Sequence, residues 1–316
     1  MSVLINIILP VFAIVGIGFA STRRGWISTA GAEGLGAFVF NFAIPAMLFK
    51  AMATRDMPDP IEWEFLIAYY GAGYIAWGIG MWVSKGWFSR DWATASVVGL
   101  SGGFANTVML GLPLVHLAYG EAGLLPVFLI ISFHSWQLFF VVTVMVEAAR
   151  GGTGGRRGRI SALLFDVVRG LVTNPVIMGL VAGVAWKMTG FGLPGPVDRF
   201  LGLLGAAAIP CSLFVLGASL ARYEIAGALP QAGVVTFLKL VLHPLAAYVI
   251  GAHVFDLAPM WLSTVVIVAA TPVGINVYMF GLRYDTGAAT VATSILLSTL
   301  LSVVSLAGVL WLLGVR

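Results

Sequence analysis

The chain has 316 residues, of which 60% are hydrophobic and only 9% charged, with a formal net charge of +4. A soluble domain carries about 25% charged residues, so this chain lacks the polar surface to cover itself in water. The aliphatic content excludes a disordered chain, the lone Cys211 excludes a disulfide scaffold, and the scattered basic residues exclude a nucleic-acid-binding module.

Taken in order, ten apolar stretches read as membrane spans, at 2–20, 31–50, 63–83, 93–116, 121–148, 167–187, 198–221, 229–253, 261–283 and 287–313. Each is long enough to cross a hydrocarbon core of ~30 Å as a helix. Helices are expected because lipid offers no partner to exposed backbone groups, and a barrel would show alternation instead. The first stretch has no basic leader and no convincing cleavage site, so it reads as a retained span. Trp26, Trp63, Trp87, Trp92, Trp186, Trp261 and Trp311 fall near span ends, where indole rings suit the interface. Asn6, Asn41 and Asn174 read as interhelical hydrogen-bonding groups.

The fourth span is a poor continuous helix. It contains Ser101-Gly102-Gly103-Phe104-Ala105-Asn106-Thr107, then Gly111 and Pro113. The ninth is broken in the same way by Thr271-Pro272-Val273-Gly274-Ile275-Asn276. Glycine costs about 1 kcal/mol in a helix interior, and proline removes a donor and clashes with the preceding turn. Gly102, Gly103, Pro113 and Pro272 are therefore the expected helix breakers. The fifth span holds His134 and Gln137, with Glu147 and Arg150 a turn apart at its end. An Arg/Gly-rich linker follows at 149–166, and the eighth span carries Lys239 near mid-depth with His243 one turn on. A lysine at that depth costs about 2.5–3.5 kcal/mol on insertion scales. It either supplies positive potential to an anion or bonds the carbonyls of a broken helix.

Lys and Arg counts set the orientation. With the N-terminus outside, cytoplasmic loops hold 11 of these residues against 5 outside, so both termini are expected on the periplasmic side. The halves 1–148 and 167–316 also resemble each other. Pro10-Val11 recurs as Pro175-Val176 and Ile44-Pro45 as Ile209-Pro210, each 165 residues later. Asn106, Met109, Gly111 and Leu112 match Asn276, Met279, Gly281 and Leu282. Five spans per half is odd, so the second half would enter the membrane inverted, as in many secondary transporters. Broken helices at matching places in two such repeats point to a binding site at mid-depth.

Gly99-Leu100-Ser101-Gly102-Gly103 formally fits G-x-S-x-G, but a nucleophile elbow needs a strand before its serine. No metal, nucleotide or redox motif is present, so neither a metal nor another cofactor is expected.

Asn106-Thr-Val-Met-Leu-Gly-Leu-Pro-Leu-Val-His-Leu-Ala-Tyr-Gly120 resembles the fourth-helix signature of the auxin efflux carrier family, which includes the plant PIN-FORMED proteins. Phe38-Val-Phe-Asn-Phe-Ala-Ile-Pro-Ala-Met-Leu-Phe49, Lys239-Leu-Val-Leu-His-Pro244 and Thr271-Pro-Val-Gly-Ile-Asn-Val-Tyr-Met-Phe-Gly281 resemble its second, eighth and ninth helices. The resemblance implies ten helices in two inverted repeats. Helices 1, 2, 6 and 7 would form a scaffold, and helices 3–5 and 8–10 a transport domain that moves like an elevator. A homodimer through the scaffold is implied too, where Gly202, Gly205 and Ala206 would permit close packing. Asn106 takes the place of the family's substrate-contacting asparagine. Ala105 stands where plant members have proline, and Asn276-Val277 stands where they have a second one. That pattern favours a bacterial member, whose relatives are described as permeases for malonate, malate or similar carboxylates.

The expectation is thus an all-α polytopic membrane protein, not an enzyme, carrying a small organic anion across the inner membrane. Asn106 and Asn276 would hydrogen-bond the substrate, with Thr107, Gly274 and Tyr278 nearby, and Lys239 with His243 or His134 would supply positive potential. An aromatic carboxylate such as auxin, a ligand sensor without net flux, and an intramembrane hydrolase using Ser101 are the alternatives. Direction and coupling ion are open.

Overall fold

The computed structural model describes residues 4–54, 61–150, 169, 172–225 and 229–315. Beyond Arg150, the expected Arg/Gly-rich linker lies outside the described residues. The described residues are helical with no strand beyond one isolated antiparallel bridge, Ala105 to Val273. That suits a chain with too little polar surface for water, because a helix satisfies its own backbone within the segment.

The helices are α1 (Leu9–Arg23), α2 (Thr29–Phe38), α3 (Ile44–Thr54), α4 (Glu64–Gly86), α5 (Trp92–Gly103), α6 (Leu112–Tyr119) and α7 (Leu124–Ala149). They continue with α8 (Pro175–Met188), α9 (Gly195–Ala206), α10 (Ala208–Leu220), α11 (Leu229–Phe237) and α12 (His243–Val249). The last are α13 (Pro259–Ala270), α14 (Asn276–Arg283) and α15 (Ala288–Leu312). Wide π-turns at Val39–Ala43 and Leu238–Leu242 join α2 to α3 and α11 to α12, so each pair is one continuous helical rod. Among the described residues, six stretches are long and apolar enough to cross a membrane: Asn6–Arg23, Thr29–Thr54, Thr107–Ala149, Gly195–Leu220, Leu229–Val254 and Ala288–Leu312. Pro175–Met188 and Pro259–Ala270 are shorter apolar helices.

Three of the described α-helices start at capping residues. Ser28 accepts the Gly31 amide to open α2, and Asn174 accepts the Val176 amide to open α8. Asp91 opens α5 by accepting both the amide and the hydroxyl of Thr94, which holds its carboxyl below the usual range. That cap is therefore intact at neutral pH and is lost only as the pH falls through the lowered value.

Glycine decides which helices touch most closely. A Cβ on Gly217 of α10 would stand 1.9 Å from the Val15 carbonyl oxygen, and one on Gly18 of α1 would stand 2.1 Å from that of Phe214. These two helices meet backbone to backbone, as α3 and α8 do at Gly179 against Pro45. Lys50 on α3 adds an ion pair to Asp198 on α9 at 2.9 Å. A second group of contacts joins α4, α5 and α7 to α11, α12, α13 and α15. There Gly103 lies against Gly73, where a Cβ would come within 2.3 Å of the carbonyl oxygen.

Some expected roles change. Trp261 is 6% exposed and packs on Phe65 with centroids 4.8 Å apart, so it belongs to the core and not to an interfacial belt. Asn41 bonds the Ala37 carbonyl of its own helix, and Asn174 caps its own helix, so neither bridges helices through these bonds. Arg150 donates to the Tyr284 carbonyl and lies over the Tyr284 ring, tying the end of α7 to the end of α14.

Gly217→Ala should cost about 1–3 kcal/mol by forcing α1 and α10 apart. Gly78→Ala, whose Cβ meets nothing within 4 Å, should be neutral or slightly stabilising. Thermal unfolding in detergent checks both, and equal effects would contradict the packing account.

Candidate functional site

The two expected breaks are present, and they meet. After Gly103 the chain leaves the helix at Phe104, passes through Ala105 and Asn106, and re-enters at a π-turn, Thr107–Gly111. After Ala270 it is extended at Thr271, passes through Pro272, Val273 and Gly274, and re-enters at Asn276. Backbone groups freed at such breaks must find partners, because a buried unpaired group costs several kcal/mol in a medium without water. The two breaks pair with each other. The Asn106 amide donates to the Pro272 carbonyl at 2.9 Å, and the Gly274 amide donates to the Phe104 carbonyl at 2.9 Å. Gly274 cannot carry a side chain without displacing Phe104, since its Cβ would lie 2.6 Å from that ring.

Several of the remaining freed groups are taken by side chains. His134 Nε2 lies 3.1 Å from the Ala105 carbonyl oxygen, and Ser298 Oγ accepts the Val273 amide at 3.1 Å. Lys239 Nζ donates to the Ala269 carbonyl in the last turn of α13, where the negative end of the helix dipole favours a donor. The Thr271 hydroxyl donates to Val268 at 2.8 Å. All four of these side chains are buried.

Asn106 is 6% exposed; its Oδ1 accepts the Met109 amide at 3.3 Å, while its Nδ2 has no hydrogen-bond partner. Thr107 is buried beside it, and its amide donates to Ala105. Asn276 is exposed at the first position of α14, and Tyr278 is half-buried with its ring edge-on to Tyr223. The crossing therefore brings together Asn106, Thr107, Pro272 and Gly274. Two helix N-termini, at Thr107 and Asn276, begin there and add positive potential. His243 is fully buried with its ring 5.6 Å from that of Tyr69. Lys239 and His134 brace the broken backbone through its carbonyls, which is the second of the two readings their sequence allowed for Lys239. Gly102 and Gly103 lie inside the last turn of α5, where they admit α4, and Pro113 occupies the second position of α6. The break itself begins one residue later than the glycines.

Tyr69, Phe104 and Ser298 escaped the sequence reading. A signal for Ser298 existed: Thr290, Ser294, Ser298 and Ser302 repeat every fourth residue along α15, and all are buried. Phe104 stacks on Phe139 at 5.2 Å and packs on His134 at 4.4 Å, contacts between residues far apart in sequence. A half-open cleft of about 130 Å³ lies elsewhere, lined by Thr22, Glu33, Ser219 and Arg222, and contains none of the expected site residues.

The chain is similar in sequence to known transport proteins. A family model described as "Membrane transport protein" matches residues 3–310. The chain is 28% identical over 99% of its length to a protein of Rhizobium meliloti (strain 1021) named "Putative malonate transporter", covering 97% of that protein. It is 26% identical to the uncharacterized transporter YfdV of Escherichia coli (strain K12), over 92% of both chains. It is 22% identical to auxin efflux carrier component 8 of Arabidopsis thaliana, over 93% of both.

Gly274→Ala should destabilise the crossing by about 1–3 kcal/mol, and Phe104→Leu in the same chain should recover part of that loss. A double-mutant cycle on thermal midpoints measures the coupling, and strict additivity would mean the two residues do not share the space described.

Proposed function

Because the chain belongs to the membrane transport protein family that includes the auxin efflux carriers, we propose that it is a secondary transporter. Its substrate is a small organic anion of the malonate or malate type. The observation that carries this reading is the reciprocal backbone pairing of the two interrupted helices around the Asn106 carboxamide. The Asn106 Nδ2 group is a buried donor without a partner, and a carboxylate is the acceptor it suits. Two helix N-termini beside it favour negative charge, and no buried carboxylate is among the residues described at the crossing to oppose it. The relative named for malonate supports a short dicarboxylate.

The mechanism is alternating access of the elevator type. Helices α4–α7 and α11–α15 pack together around the crossing and act as the transport domain. Helices α1–α3 and α8–α10 act as the scaffold, through which two copies dimerise. The two halves, 1–148 and 167–316, are inverted repeats of five spans each, so the paired breaks are equivalent elements meeting at the pseudo-symmetry axis. The protein sits in the inner membrane with both termini in the periplasm. An indole acid is the second substrate reading, favoured by the likeness to auxin efflux carrier component 8. The hydrolase reading lacks support, because the Ser101 hydroxyl is buried without a hydrogen-bond partner and so has no base to activate it.

Asn106→Ala should abolish saturable malonate transport in proteoliposomes while the protein still inserts and unfolds cooperatively. Competition with malate, succinate and indole-3-acetate, with and without pH and sodium gradients, ranks the substrates and identifies the coupling ion. Unchanged transport by Asn106→Ala would remove the crossing from the mechanism.

A further inference from the structure

Ala105 and Val273 form the bridge, yet none of its hydrogen bonds is their own. The pairing runs through Asn106 to Pro272 and Gly274 to Phe104, the arrangement of a non-hydrogen-bonded antiparallel pair. In such a pair the two opposed residues turn their own amide and carbonyl away from each other. The outward carbonyl of Ala105 meets His134, and the outward amide of Val273 meets Ser298, each at 3.1 Å. His134 lies on α7 and Ser298 on α15, the helices that close the two halves of the chain. They stand 164 residues apart, within one residue of the offset that relates Ile44-Pro45 to Ile209-Pro210.

The His134 ring has one possible arrangement toward Ala105. A carbonyl oxygen only accepts, so Nε2 must carry the proton. Nδ1 then turns its lone pair toward the Tyr69 hydroxyl, 3.5 Å away. Phe104, packed on the imidazole, holds its plane. Ser298 is equally constrained, since its hydroxyl donates to Ile295 and leaves an oxygen lone pair for Val273.

We propose that His134 and Ser298 are a matched pair of positioning residues that hold the two bridging peptides from outside the crossing. By fixing the Ala105–Asn106 peptide they fix the direction of the Asn106 carboxamide, and so the affinity for the anion. This rests on the reading of the crossing as the substrate site. Neither residue needs to touch substrate, so their loss should weaken binding without removing the transport cycle.

The test compares His134→Phe, which keeps ring volume without a donor, with His134→Gln, which restores one, and Ser298→Ala with Ser298→Thr. Hydrogen exchange in ligand-free protein is followed over peptides spanning 100–110 and 271–277. Malonate half-saturation and maximal rate are measured in proteoliposomes. His134→Phe and Ser298→Ala should each speed local exchange, and raise half-saturation, by about tenfold, the effect of losing one buried hydrogen bond. Maximal rate should change less than half-saturation, and His134→Gln and Ser298→Thr should return both readouts to within about twofold of wild type. Wild-type exchange in His134→Phe, or equal damage in His134→Gln, would overturn the proposal. Failure of the wild-type protein to move malonate would instead count against the substrate reading, and the exchange measurement would still decide the positioning role.

Discussion

The fold turns on a shortage of partners. An interrupted helix at membrane depth exposes amides and carbonyls that water would normally satisfy and that lipid cannot. One break of this kind would be a liability. Here two breaks lie antiparallel, so that the donor freed at Asn106 meets the acceptor freed at Pro272, and Gly274 meets Phe104. Each break supplies what the other lacks. The surrounding helices then serve the leftover groups, with His134, Ser298, Lys239 and Thr271 each assigned to one backbone atom.

That division of labour changes where positive charge acts. Lys239 is the obvious candidate to attract an anion, yet its Nζ bonds the last turn of α13. It stabilises the end of a half-helix, where partial negative charge collects. The positive potential beside Asn106 comes from helix N-termini, which are neutral overall and need no buried counter-ion. The two asparagines are not equivalent either. Asn106 is buried with one amide bond made and one open, whereas Asn276 is exposed at the start of its helix. A sequence match between the two halves therefore does not carry equal burial with it.

Much of this was legible in residue order. The apolar stretches mark the helices, and the Gly/Pro/Asn clusters at 101–113 and 271–276 mark both breaks to within a residue or two. What composition cannot tell is which glycines break a helix and which admit a neighbour. Gly102 and Gly103 do the second, because α4 offers Gly73 and Ala76 opposite them. Nor does depth alone separate a lysine that faces a ligand from one that faces a carbonyl. Both are intramembrane cations, and only the position of Ala269 decides. The roles of Phe104 and Tyr69 depend on contacts with His134 from distant parts of the chain. Ser298 is the exception, since its four-residue polar seam can be read directly.

The bridge between Ala105 and Val273 is made of main-chain atoms, and main-chain atoms are common to every residue type except proline at the donor. Side chains that make none of the bracing contacts can therefore be exchanged around the crossing without dismantling the frame. Gly274 against Phe104, Gly103 against Gly73, and the bracing groups of His134, Ser298, Lys239 and Thr271 are the fixed points. A frame whose pairing is made by the main chain in this way leaves the positions outside these contacts as the natural ones to vary in a small combinatorial library.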